Sequence, residues 1–296
     1  VKKDERDIVT MAVRRTVRHL ACLVLLGLTI AGCAYDVGPP AAADLDSSPA
    51  QSSETTESAV EAEEAEAYCG DWHELADSGL VYQNNVWGKG DIADYEQCLL
   101  TRRLDGTTEY GWRWQWPKGT GQVKAYPQVI YGHKPWNPES TTSVLPARIE
   151  SIKELSIAYA VAMNAQGAYN LAYDIWLTSS NPPTPDTITH EVMIWMARTF
   201  EAQPRQYLAG QVVVDNIAYD LYLRPNFHPT SGAGYIAFVS QEPRFGGVVD
   251  VAAFLSYLVE HNYVPADSYL ASVELGNEVI DGTGELWLQR FQVTTD

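Results

Sequence analysis

Basic residues are scarce beside acidic ones in this 296-residue chain: 20 Lys and Arg stand against 38 Asp and Glu, a formal net charge of −18. A field of that sign disfavours nucleic acid and anionic lipid surfaces as partners and suits a neutral ligand or substrate. Cysteine is nearly absent, with 4 in the chain and no CxxC pair. That excludes a zinc ribbon or a redox CxxC centre. The His residues also lack ligand spacing, so no metal and no cofactor is expected. Long apolar runs are missing too. The longest, Leu20 to Ile30, falls well short of the ~20 residues a spanning helix needs. No internal repeat appears.

That short run carries its own message. Arg14, Arg15 and Arg18 precede it and small residues follow, the layout of an export signal starting at Met11. The polar residues 1–10 read as an extension upstream of the true start. "TIAGC", ending at Cys33, resembles a bacterial lipobox, which makes residues 11–32 a lipoprotein signal and Cys33 the lipidated N-terminus. Residues 33–67 then read as an acidic tether: from 34 onward they hold nine acidic and no basic side chains, too little apolar surface to order themselves. The expected product is an extracytoplasmic monomer anchored to a bacterial membrane through lipid. Its globular part, 68–296, keeps 26 acidic and 14 basic residues. Of the cysteines only Cys69 and Cys98 fall there, and one pair in an exported domain is expected to form a disulfide.

Within 68–296 short β-rich runs recur between Gly, Pro, Asn and Asp, as in "YGWRWQWP", "YNLAYDIWLT", "AGYIAFVS" and "GELWLQRFQV". Many short strands with turn punctuation predict an antiparallel sandwich or barrel. One stretch differs. "DVAAFLSYLVEH" places Val251, Phe254, Leu255 and Leu258 on one helical face behind Asp250 as N-cap, so one helix packed outside a sheet is expected.

Aromatic residues are plentiful, with 9 Trp and 17 Tyr. Tyr110, Trp112, Trp114 and Trp116 alternate along one strand face, and Trp72, Trp87, Trp136, Trp176 and Trp195 add further rings. A single Trp is ordinarily core, but this surplus favours a cleft that stacks on sugar rings, with Trp136 among the substrate-binding candidates.

Acidic residues then appear where strands otherwise read as buried. In "HEVMIWM", Glu191, Met193 and Trp195 share one face and Val192, Ile194 and Met196 the other. A carboxylate there needs a partner or a use. "YNLAYDIWLT" sets Asp174 with Ala172 and Trp176, and "SVELGNEV" sets Glu274, Gly276 and Glu278 together. Several carboxylates between rings suit glycoside hydrolysis, which needs one charged and one protonated carboxyl group. On spacing alone Glu274 and Glu278 are equal candidates for the protonated one.

"CGDW", "NNVWG", "YDIWLT", "EVMIWM" and "ASVELGNEV", in this order, resemble glycoside hydrolase family 12 across the whole globular part. The resemblance implies a β-jelly-roll of two antiparallel sheets with a concave groove, and a retaining endo-β-1,4-glucanase or xyloglucanase. It implies Glu191 as nucleophile, Glu278 as general acid/base and Asp174 as the residue orienting the nucleophile. Met193 and Trp195 would shape the cleft, and Trp72, Asn85 and Trp87 would bind sugars on the non-leaving side. Asn277 departs from the Thr common at its position. The polysaccharide would be β-glucan, xyloglucan or amorphous cellulose. A xylanase-like relative and a non-catalytic lectin-like binder are the alternatives, the latter disfavoured by two opposed carboxylates.

Overall fold

The computed structural model describes residues 65–119, 121–228 and 232–296. The expected signal, Cys33 and most of the acidic tether lie outside the described residues. Glu66 and Ala67, grouped with the tether by composition, are the first residues of strand β1 (Glu66–Tyr68).

Two curled sheets are built from this chain. The outer one runs β1, β4 (Glu96–Leu104), β5 (Thr107–Trp116), β15 (Val279–Thr295), the first half of β8 (Leu155–Thr178) and β13 (Gly246–Asp250). The inner one begins with β2 (Glu74–Asp77), β3 (Leu80–Gln83), β6 (Gln128–Gly132) and β14 (Tyr269–Gly276). It continues through the second half of β8, β9 (Ile188–Arg198), β12 (Gly234–Ser240), β11 (Ile217–Arg224) and β10 (Leu208–Val214). The two-residue β7 (Ala147–Arg148) pairs with the start of β14. The expected all-β jelly roll is therefore present, with one difference. Strands β9 and β12 pair in parallel, because the β10–β11 hairpin folds outside β12 rather than between it and β9.

β8 ties the sheets together. Leu155, Ile157, Tyr159, Leu171, Tyr173 and Ile175 all point into the core, so one alternation serves both halves of a 24-residue strand. The passage between sheets occurs where Gly167 faces Gly282 across β15. A Cβ on Gly282 would lie 2.0 Å from the Gln166 carbonyl oxygen, and one on Gly167 would lie 2.5 Å from that of Asp281. Only bare backbone fits this crossing.

The core lies between the sheets and takes Val192, Ile194 and Met196 from β9, as their alternation requires. It also takes Trp112, Trp114 and Trp116. These rings are 0%, 2% and 2% exposed, with Trp112 Nε1 donating to Asn277 Oδ1 at 2.7 Å and Trp116 Nε1 to Gln97 Oε1 at 2.9 Å. The aromatic row of β5 is thus core packing, not cleft lining; period two shows that rings share a face without saying which face is dry.

Helix α1 (Val251–Glu260) packs against the back of the inner sheet, its Phe254 ring 4.9 Å from Phe238 of β12 and 5.3 Å from Tyr219 of β11. Val251, Phe254, Leu255 and Leu258 are buried, and the Asp250 carboxylate accepts from the Ala253 N–H at 2.9 Å. Such a cap contributes about 1 kcal/mol. Cys69 and Cys98 are bonded with Cα atoms 3.9 Å apart, fastening the segment after β1 to β4. Closing a 29-residue separation stabilises by roughly 3–4 kcal/mol through chain entropy.

Candidate active site

The face of the inner sheet turned away from the core is organised in rows by strand register. Trp176, Glu191 and Tyr235 form one row across β8, β9 and β12. Glu274, Asp174, Met193 and Ala237 form the next, and Gly276, Ala172 and Trp195 a third. The residues singled out on "YDIW", "EVMIW" and "ELG" therefore meet on one surface although they come from three separate parts of the chain.

Glu191 is partly open, its side chain 12% exposed. Beside it Met193 is held by two donors, Trp195 Nε1 and Tyr235 Oη, each 3.3 Å from its sulfur. Asp174 is buried. Burial first, then the charges of Glu191 and Glu274, push its carboxyl well above the usual carboxylate range. Its Oδ1 has no hydrogen-bond partner. A neutral carboxylic acid with a free oxygen, next to a carboxylate, is set up to donate.

Glu278 follows the end of β14 and remains partly open. Burial and the Glu191 charge push its carboxyl up to about 8, against the Asn170 amide, which pulls it down. Asn170 lies on β8 opposite it and is fully buried. Its Nδ2 donates to Glu278 Oε2 at 2.5 Å, while its Oδ1 accepts from the Glu278 backbone N–H at 2.7 Å. Asn277 steadies the same junction by donating to the Asn170 carbonyl at 2.6 Å while accepting from Trp112. Those two bonds give the departure at this position a structural role.

Glu274 is different. Its side chain is wholly buried, 2.5 Å from Lys134 Nζ, and it accepts from Ser272 Oγ at 3.0 Å. Burial raises its carboxyl above the ordinary value, against the pull of Lys134 and Ser272. With both oxygens committed, it is a foundation of the sheet rather than a group on the groove surface.

The aromatic candidates divide. Trp72, Trp87 and Trp136 are exposed at 49%, 59% and 53%, whereas Trp195 and Trp176 are buried in the floor. Trp136 stands edge-on to Trp176 at 4.8 Å, which places it beside the Glu191 row. Trp72 and Asn85 lie on one loop system, where the Trp72 N–H donates to the Asn84 carbonyl. The Asn85 side chain is buried and accepts from the Trp87 N–H at 3.0 Å, so it shapes the loop that presents the Trp87 ring. Its backbone carbonyl accepts from Tyr126 N–H, and Tyr126 Oη donates to the Ala172 carbonyl in the floor.

Sequence reasoning missed Asn170, Tyr126, Lys134 and His228. Asn170 shares the period-two face of Asp174, which was a usable signal. His228, on the segment after β11, sets Nε2 2.7 Å from Glu191 Oε2, and nothing local to its sequence announces that contact.

A jelly roll carrying paired carboxylates, one open and one proton-bearing, among exposed Trp rings is the frame of a carbohydrate-cleaving enzyme. The model of glycosyl hydrolase family 12 matches residues 78–296. The chain belongs to that family and is a glycoside hydrolase. Among its relatives, it is 29% identical over 215 residues to Endoglucanase S of Pectobacterium parmentieri, covering 71% of this chain and 79% of that one. It is 28% identical over 228 residues to a probable xyloglucan-specific endo-beta-1,4-glucanase A of Aspergillus clavatus, covering 75% and 88%. A family 12 xyloglucanase from Bacillus licheniformis, solved with ligand, superposes with a TM-score of 0.70 at 26% identity, over 79% of this chain and all of that one.

Proposed function

We propose that the protein is a retaining endo-β-1,4-glucanase acting on β-glucan, xyloglucan or amorphous cellulose. The observation that carries this reading is the Glu278 carboxyl, held up to about 8 by burial and by the charge of Glu191. A carboxyl group kept protonated beside a second carboxylate supplies the acid that glycoside cleavage needs next to its nucleophile. Glu191 attacks the anomeric carbon while Glu278 protonates the leaving oxygen. Glu278, now ionised, then takes a proton from the water that releases the sugar. Asp174, kept neutral, donates toward Glu191 and fixes its orientation. The rings of Trp72, Trp87 and Trp136 provide stacking surfaces for the glycan on an open groove, which suits cleavage within a chain. The endoglucanase and xyloglucan-specific names of its relatives support the same substrate class. The lipobox-like "TIAGC" behind an export-signal pattern supports an enzyme that works outside the cytoplasm on a lipid tether.

Reducing-end assays on β-glucan, xyloglucan, carboxymethylcellulose and xylan, with the anomer of the first product followed by NMR, test this reading. Release from a β-1,4-glucan with retained configuration is expected. Cleavage confined to xylan would favour the xylanase-like alternative, and binding without cleavage would favour a lectin.

A further inference from the structure

The segment joining β11 to β12 brings His228 back to the groove. Phe227 and His228 both donate backbone N–H groups to the Ala233 carbonyl, at 2.9 and 3.2 Å, and Gly232 donates to the His228 carbonyl at 2.8 Å. These bonds fix the His228 backbone. Its ring sits between Phe227, 5.1 Å away, and Trp176 of the floor, 5.8 Å away. Phe227 is itself backed by Tyr235 at 4.9 Å and by the Arg224 guanidinium at 4.3 Å. So supported, the ring presents Nε2 to Glu191 Oε2 at 2.7 Å, with the imidazole 25% and the carboxylate 12% exposed.

Nε2 is buried and has the distance of a hydrogen bond without its alignment, so no partner satisfies it in this ring orientation. Rotation of the ring would align it, and catalytic hydrogen bonds are commonly loose before substrate binds. Once aligned, a bare Nε2 would set two lone pairs against each other, so the contact requires the tautomer with its proton on Nε2.

We infer that His228 is a positioning residue for Glu191: its Nε2–H holds Oε2 and leaves Oε1 free to attack. This rests on the reading of Glu191 as nucleophile. In the first step the Oε1–anomeric carbon bond forms, the glycosidic C–O bond breaks, and the Glu278 proton goes to the leaving oxygen. His228 transfers nothing. Its hydrogen bond fixes which oxygen attacks and in what direction, then stays on the ester carbonyl until water returns the carboxylate. Asp174 lies one row along on β8, in register with Met193, so His228 adds a donor from the loop that the sheet alone does not supply.

The test uses the full-length enzyme with an aryl cellobioside and, separately, cellotetraose binding measured by calorimetry. His228→Ala is expected to lower kcat/KM by about 10- to 100-fold, the worth of one hydrogen bond to a charged group. Cellotetraose affinity should stay within about twofold, since binding is not what this bond serves. His228→Gln, whose amide reaches the Nε2 position with an N–H, should recover most of the loss. His228→Ala with kcat/KM unchanged would overturn the inference, as would a Gln variant no better than Ala, or binding that falls in step with kcat/KM. Glu191→Ala run alongside separates the two readings: if that variant stays active, the nucleophile assignment fails instead.

Discussion

Asn170 grips Glu278 at both ends, donating to its carboxylate at 2.5 Å and accepting from its backbone N–H at 2.7 Å. The two residues are 108 apart in sequence, so the grip exists only because β8 runs beside the end of β14. Asn170→Ala removes both side-chain contacts to Glu278 while leaving intact the backbone carbonyl to which Asn277 donates. The side-chain bond favours the ionised form, so its loss should move the Glu278 carboxyl further up. The expected result is kcat reduced by about 10-fold or more and a basic limb of the kcat/KM–pH profile displaced to higher pH. A limb displaced downward would contradict the assignment.

Glu278 should also shape stability against pH. Its folded value of about 8 lies above the ordinary 4.5. Between those values the folded protein holds the proton more tightly than the unfolded chain, so this group lowers stability progressively as pH rises through the window. Glu278→Gln removes the effect. Thermal unfolding should show the variant's Tm above wild type near pH 8, with the gain shrinking to nothing at about pH 4. A Tm difference that does not change with pH would contradict the raised carboxyl.

Lys134 and Glu274 form a pair with side-chain exposures of 7% and 0%. Lys134→Met leaves Glu274 buried without its cation, which should cost about 3–5 kcal/mol in denaturant unfolding. Lys134→Met combined with Glu274→Leu should recover much of that, because two apolar groups replace two desolvated charges. Equal losses for the single and the double variant would mean that the pair is not what sets the stability of this region.

Much of this architecture was legible. The alternation in "EVMIWM" assigned Val192, Ile194 and Met196 to the core and Glu191, Met193 and Trp195 to the other face. The helix behind Asp250 and the Cys69–Cys98 bond were readable too, since each follows from local spacing or from a lone pair of cysteines. The Trp112, Trp114 and Trp116 row was not. Alternation groups rings on a face, but whether that face meets another sheet or solvent depends on partners far along the chain. The same limit hid the contacts that finish the site. Asn170 with Glu278, Lys134 with Glu274 and His228 with Glu191 each join residues brought near by strand order or by a loop. Spacing could not rank Glu274 against Glu278, whereas burial does: Lys134 and Ser272 occupy the first, and the second stays partly open.

The division of labour between Glu191 and Glu278 is tested most directly by Glu278→Ala on an aryl cellobioside with an acidic phenol. Such a leaving group departs without a proton, so the glycosyl-enzyme should form and then accumulate, because the same residue activates the incoming water. The expected result is a burst of phenol, slow turnover, and acceleration by azide with a β-glycosyl azide as product, while polysaccharide cleavage is lost. Glu191→Ala should fail on every substrate, and Glu274→Ala should show no azide rescue. Loss of Glu278→Ala activity on aryl cellobioside and polysaccharide alike, without azide rescue, would contradict the account.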